Sequence, residues 1–113
     1  MWQKATDLAV DVYAATDSFP RQELYRLAGQ IRRAAVSVPS NLAEGAARQS
    51  TAEYLRFASI ALGSAAELET QLILAGRLGY CDRVRVDALL GRLDEIRRML
   101  AALIAQLKRP PPR

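Results

Sequence analysis

The sequence predicts an all-α protein, an antiparallel up-down four-helix bundle whose second helix is kinked at Pro39. Three observations carry that prediction. Apolar residues recur at helical spacing through nearly the whole chain. Ala and Leu dominate while β-branched runs are absent, and turn-forming residues fall at only three places. Four helical segments joined by short turns favour antiparallel neighbours. At 113 residues there is room for one domain, and folding at this size buries about two-thirds of the unfolded chain's surface.

The first segment, Trp2 to about Thr16, sets Trp2, Ala5, Leu8, Ala9, Val12 and Tyr13 on one stripe. Asp17-Ser18-Phe19-Pro20 ends it, with Pro20 placed to open the second helix, where its missing N–H has no partner to lose. The second segment runs from Pro20 to about Arg48, and Leu24, Leu27, Ile31, Ala35, Val38 and Leu42 keep helical register past Pro39. An interior proline deletes a hydrogen bond and crowds the preceding turn. One bent helix is therefore expected, or two helices meeting near Val38-Pro39-Ser40 with Ser40 as a cap. Ser50-Thr51-Ala52-Glu53 is a capping box opening a third helix through Leu78, which Gly79 stops at C′. Asp82 is the N-cap of a fourth, carrying Val86, Leu89, Leu90, Leu93, Ile96, Leu100, Leu103, Ile104 and Leu107. Residues 1–109 are thus the bundle domain and 110–113 a proline-rich tail.

Composition removes much chemistry. The chain has no histidine, and its single cysteine is Cys81. No Ser-His or Cys-His pair and no Cys/His zinc site can form within one chain. The Glu-x-x-His motif of di-iron bundles is equally out of reach. One cysteine makes no internal disulfide, which suits a reducing compartment. No basic n-region precedes an apolar block at the start, and the longest apolar run, Met99 to Ala105, is seven residues. A cytoplasmic protein without membrane contact is expected. Glu67 and Glu69 lie about 200° apart on a helix, so they form no carboxylate pair; one of them is expected to pair with an arginine such as Arg32 or Arg33. Cys81 reads as an ordinary small residue, and no metal, cofactor or catalytic group is expected.

Sixteen basic residues against twelve acidic give +4, and only Lys4 and Lys108 of the sixteen are lysine. Arginine suits bidentate phosphate recognition, although such a preference also follows from genomic base composition. On a helical wheel Arg26, Arg33, Ser37, Ser40, Glu44 and Arg48 gather opposite the apolar stripe of the second segment, with Gln22, Gln30 and Asn41 nearby. A plainly solvated face would more often carry Glu, Lys and Gln. The small polar residues suggest close packing, either of a partner or within the bundle. The third helix is apolar on more than one side, at Ile60, Leu62 and Leu72 to Ala75. With Ala58, Ala61, Gly63, Ser64, Ala65 and Ala66 permitting close helix approach, that pattern predicts self-association. The aromatics are few and scattered, which disfavours recognition by base stacking.

The chain resembles the four-helix-bundle proteins related to those encoded in intervening sequences of bacterial 23S ribosomal RNA genes. Trp2 with Ala5 and Leu8, Val12-Tyr13, Phe19-Pro20 and Gln30-Ile31-Arg32-Arg33-Ala34 carry the resemblance. So do Ser37-Val38-Pro39-Ser40-Asn41-Leu42-Ala43-Glu44-Gly45, Arg48, Ala61 to Ser64, Glu67 to Leu72 and Leu78-Gly79-Tyr80. Arg32, Ser37, Asn41 and Glu44, with Arg33 and Arg48, match the family's polar motif. The resemblance implies a homopentameric, barrel-like ring. It also implies kinship with accessory proteins of diversity-generating retroelements, which bind nucleic acid and a reverse transcriptase.

The functional expectation is a non-enzymatic, oligomeric helical module that binds RNA or DNA by phosphate contacts. Its candidate residues are Arg26, Arg33 and Arg48 on the second helix and Arg97 and Arg98 on the fourth. The alternative is a protein-interaction scaffold whose docking site is the Ser/Asn-rich face.

Overall fold

The computed structural model describes residues 1–110; the expected tail at 111–113 lies outside the described residues. The protein folds as a helical bundle of four helices, α1 (Trp2–Thr16), α2 (Leu27–Ala47), α3 (Thr51–Arg77) and α4 (Arg83–Leu107). Each helix packs against the next, and α1 closes onto α4. The molecule is an elongated rod of 56 × 23 × 19 Å.

Local chemistry places the ends. Ser50 Oγ accepts the Glu53 N–H at 3.2 Å, and Asp82 Oδ1 accepts the Val84 N–H at 2.8 Å. Each side chain satisfies a donor that the first helical turn leaves unbonded. At the C-terminus of α3, Gly79 takes φ +77, the Gly79 N–H bonds Gly76 O at 3.2 Å and the Tyr80 N–H bonds Ala75 O at 3.0 Å. That is a Schellman closure, and its left-handed residue suits glycine.

The start of α2 differs from expectation. Pro20 leads into a single 3₁₀ turn, Arg21–Glu23, and α2 begins only at Leu27. Pro20 has ψ 142, an extended value, so it precedes the turn instead of entering an α-helix. Arg26, with φ −116 and ψ −108, flanks the helix start. Further on, α2 continues through buried Pro39 to Ala47 as one helix, so Ser40 lies inside it and caps nothing.

The core runs the length of the rod. Val12, Ile31, Leu68, Leu72, Leu93, Ile96 and Leu100 are all but inaccessible. Ala28, Ala58, Ala61, Ala65 and Ala75 are fully buried among them. The α2–α3 seam is the tightest. A Cβ placed on Gly45 would come within 2.9 Å of Phe57 Cβ and 3.0 Å of Tyr54. Farther along the seam Ser37 meets Ser64, so residue numbers fall along α2 as they rise along α3.

Two glycines in helix interiors should therefore respond oppositely to alanine. Gly45→Ala forces overpacking against Phe57 and is expected to cost about 1–3 kcal/mol. Gly63 faces open space, and Gly63→Ala is expected to gain up to about 1 kcal/mol from helix propensity. Urea denaturation followed by circular dichroism reads both.

Candidate nucleic-acid interface

The expected arginines divide into two groups by what they already touch. Arg97 reaches from α4 to α3, its Nη1 bonding Glu69 Oε2 at 2.6 Å with both side chains about two-thirds buried. Sequence reasoning anticipated an acid–arginine pair in this region but named Arg32 or Arg33; the partner is Arg97. Periodicity could not have chosen it, because the pairing depends on the register between α3 and α4. Arg48 bonds Glu44 at 2.8 Å and Arg98 bonds Asp94 at 3.0 Å, each one helical turn away. Arg26 and Arg33 are exposed and in no ion pair among the described residues.

Arg32 belongs to the fold. Its Nε donates to Thr16 Oγ1 at 2.7 Å, its Nη2 bonds Asp17 at 3.0 Å, and its guanidinium lies over the Tyr13 ring at 5.0 Å. It thus ties the end of α1 to α2. The small polar residues also work inside the chain. Ser37 Oγ lies 2.7 Å from Ser64 Oγ, and Asn41 Nδ2 donates to Ser37 O at 2.8 Å and to Ser37 Oγ at 2.9 Å. What packs closely against that side of α2 is α3. Gln71 is buried in the same helix, its Nε2 donating to Glu67 Oε1 at 3.0 Å.

The candidate arginines do not form one patch. Arg33 lies on α2, with Arg26 and Arg48 flanking its two ends, while Arg97 and Arg98 lie on α4, and the backbones of α2 and α4 do not come close to one another. Arg26 and Arg48 are separated by nearly the whole of α2, about 30 Å at 1.5 Å per residue.

Two apolar surfaces remain uncovered. Val10 and Tyr13 of α1 and Val36 and Pro39 of α2, with Thr6 and Ala9, line a shallow groove of about 420 Å³. Ile60, Leu74 and Leu78 stand half-exposed on α3. Ala58, Ala61 and Ala65, read from sequence as an association surface, are instead covered within the chain.

Nothing in this arrangement resembles a catalytic site. Cys81 is buried, and burial pushes its thiol up despite the opposing charge of Arg85, so the nucleophilic thiolate is suppressed. Among the described residues no group of three or more Cys, Asp or Glu could hold a metal ion. Nor, among those residues, is any helix long and apolar enough to cross a membrane.

The model of the 23S rRNA-intervening sequence protein family matches residues 1–102. The chain belongs to that family. A solved relative from Bacteroides thetaiotaomicron, described as a protein of unknown function from the S23 ribosomal protein family, superposes with a TM-score of 0.82 at 27% identity. The match covers 91% of this chain and 96% of that one, so this intervening-sequence-family chain shares the relative's helical bundle throughout. No curated protein matches the chain.

Electrostatics along the α1–α4 seam make two measurable statements. Lys4 pairs with Glu95 and Arg92 with Asp11. The Lys4 hydrogen bond, and then its charge, hold the Glu95 carboxyl below its ordinary value near 4.5. A carboxyl depressed in the folded state adds stability above its unfolded value, which is lost as pH falls through the folded one. Lys4→Met is expected to return Glu95 to the ordinary range, read by carboxyl NMR titration, and to flatten the acid limb of the stability curve below about pH 4.5. Arg97→Gln should cost about 1 kcal/mol by stranding Glu69, whereas Arg98→Gln should cost under about 0.5 kcal/mol.

Proposed function

We propose that the protein is a non-enzymatic, self-assembling helical module that binds RNA or DNA through phosphate contacts to arginine. The observation that carries this reading is that Arg26, before α2, and Arg33, on it, stand exposed and in no ion pair among the described residues. An unpaired guanidinium binds phosphate without first giving up an ion pair. Arg48, Arg97 and Arg98 each hold an acid already and are not phosphate ligands on this reading.

Assembly follows from the two unlike apolar surfaces. The α1–α2 groove and the Ile60–Leu74–Leu78 stripe lie on different helices, so a contact pairing one with the other on a second copy is head-to-tail. Such contacts close into rings when the rotation permits, in keeping with the homopentamer the family resemblance implies. The groove also supports the other reading, a scaffold for a protein partner such as a reverse transcriptase. Pull-down from nuclease-treated lysate separates the two, because a protein partner survives the nuclease.

Fluorescence anisotropy with a structured RNA hairpin tests the main reading. Affinity is expected to fall at least about tenfold between roughly 50 and 200 mM salt. Absence of binding at low salt, or binding indifferent to salt, overturns it. Native mass spectrometry is expected to show an assembly of several copies that Val10→Glu with Val36→Glu dissociates into folded protomers; a wild-type monomer at all concentrations refutes self-assembly.

A further inference from the structure

The end of the rod that holds the α1–α2 and α3–α4 connections is basic. Phe19 packs against Tyr80 with ring centroids 5.6 Å apart, joining the α1–α2 connection to the α3–α4 turn. Residues 17–33 and 77–87 converge there. They hold seven arginines, at 21, 26, 32, 33, 77, 83 and 85, against four acids, Asp17, Glu23, Asp82 and Asp87. That is +3 of the chain's +4 in these two short segments. Elsewhere nine bases stand against eight acids, with Lys108, Arg109 and Arg113 following the last acid of the chain, and along the body five ion pairs hold many of the rest: Lys4–Glu95, Asp11–Arg92, Glu69–Arg97, Asp94–Arg98 and Glu44–Arg48. At the charged end only Arg32 is in an ion pair among the described residues.

Two further features point to a ligand. Arg33 folds back along α2, its Nη1 lying 3.3 Å from where a Cβ on Gly29 would sit, which brings the guanidinium one turn toward Arg26. Tyr25, beside Arg26, is 94% exposed, the most open large hydrophobic side chain among the described residues. An aromatic ring left in water gains nothing for the fold. Set among unpaired arginines, it offers a face on which an unstacked base can rest while the guanidinium groups hold the flanking phosphates.

We propose that this end is the nucleic-acid site, with Tyr25 as a stacking platform and Arg21, Arg26, Arg33, Arg77, Arg83 and Arg85 as phosphate ligands, and that the preferred ligand is single-stranded. This rests on the nucleic-acid reading above and departs from the expectation that base stacking is disfavoured. A duplex offers Tyr25 no surface to stack on, because paired bases keep their faces covered. The arginines alone would bind duplex and single strand alike; the tyrosine makes the difference.

The test uses fluorescein-labelled oligo(U) and oligo(dT) of about 12 nucleotides, within the range for one small module, and a duplex of the same length. Four variants are compared: Tyr25→Ala, Tyr25→Phe, the triple Arg26→Gln/Arg83→Gln/Arg85→Gln, and the triple Arg48→Gln/Arg97→Gln/Arg98→Gln. Circular dichroism melts confirm folding, and the exposure of Tyr25 leaves little stability at stake. Expected are tighter binding of single strands than duplex and a loss of about tenfold for Tyr25→Ala, with recovery in Tyr25→Phe. The end triple should also reduce the salt slope by about one for each arginine that no longer neutralises a phosphate, while the other triple stays within about twofold. Duplex preference with a neutral Tyr25→Ala, or loss confined to the Arg48/Arg97/Arg98 triple, overturns the end site and leaves nucleic-acid binding standing. No binding of any probe at low salt overturns both.

Discussion

The close approach of α2 and α3 is the constraint on which the rest of the bundle depends. Ala58, Ala61 and Ala65 are buried to the last atom, and Gly45 leaves no room for even a methyl group against Phe57. Small side chains let two backbones come near enough for dense van der Waals contact. The same closeness brings Ser37 and Ser64 hydroxyls within 2.7 Å, satisfying polar groups that the seam half-buries. With that pair set, α1 adds to α2 and α4 to α3, and the open sides of α2 and α3 are determined. Arg33, Ser40 and Glu44 face outward because Ile31, Val38 and Leu42 are held inward.

Packing also decides where charge collects. The acids Asp11, Glu69, Asp94 and Glu95 fall opposite or one turn from arginine or lysine along the body of the rod. Surface pairs of this kind contribute little stability individually, but they neutralise the sides. At the far end the arginines other than Arg32 are in no ion pair among the described residues, so the positive charge there is local. Field strength at a surface follows that local sum and not the total.

Much of this was legible in the sequence, and the failures have specific causes. Ser50, Asp82 and Gly79 act through bonds to residues within a few positions, so their roles can be read locally, and all three stand where expected. The apolar period placed Val12, Ile31, Leu93 and Leu100 inward for the same reason. Pro20 misled because proline suits both the first turn of a helix and the extended residue before a turn; only the path of the connection to α2 decides. The alanines of α3 reported that something packs closely, but periodicity identifies a face without its partner, and Ala58, Ala61 and Ala65 are covered within the chain. Glu69 with Arg97 depends on interhelical register, which no local pattern encodes. Tyr25 lies about 100° off the stripe of Leu24, Leu27 and Ile31 on a helical wheel, and it stands before the delayed start of α2, in water.

That delayed start has a geometric consequence for any assembly. The apolar groove and the α3 stripe run along the sides of the rod, whereas Tyr25 and the unpaired arginines sit at its tip. Side-to-side association therefore leaves the tip open. In a ring whose axis follows the 56 Å length of the rod, the tips of all copies fall on one rim, and head-to-tail contacts repeat the same spacing between them. A strand that reaches two neighbouring tips meets the second at a high effective concentration, so a site weak in one copy holds firmly in the ring. On the proposed reading, this division of labour between sides and tip would let a chain of +4 bind nucleic acid without a larger charge on each copy, which would oppose the assembly itself.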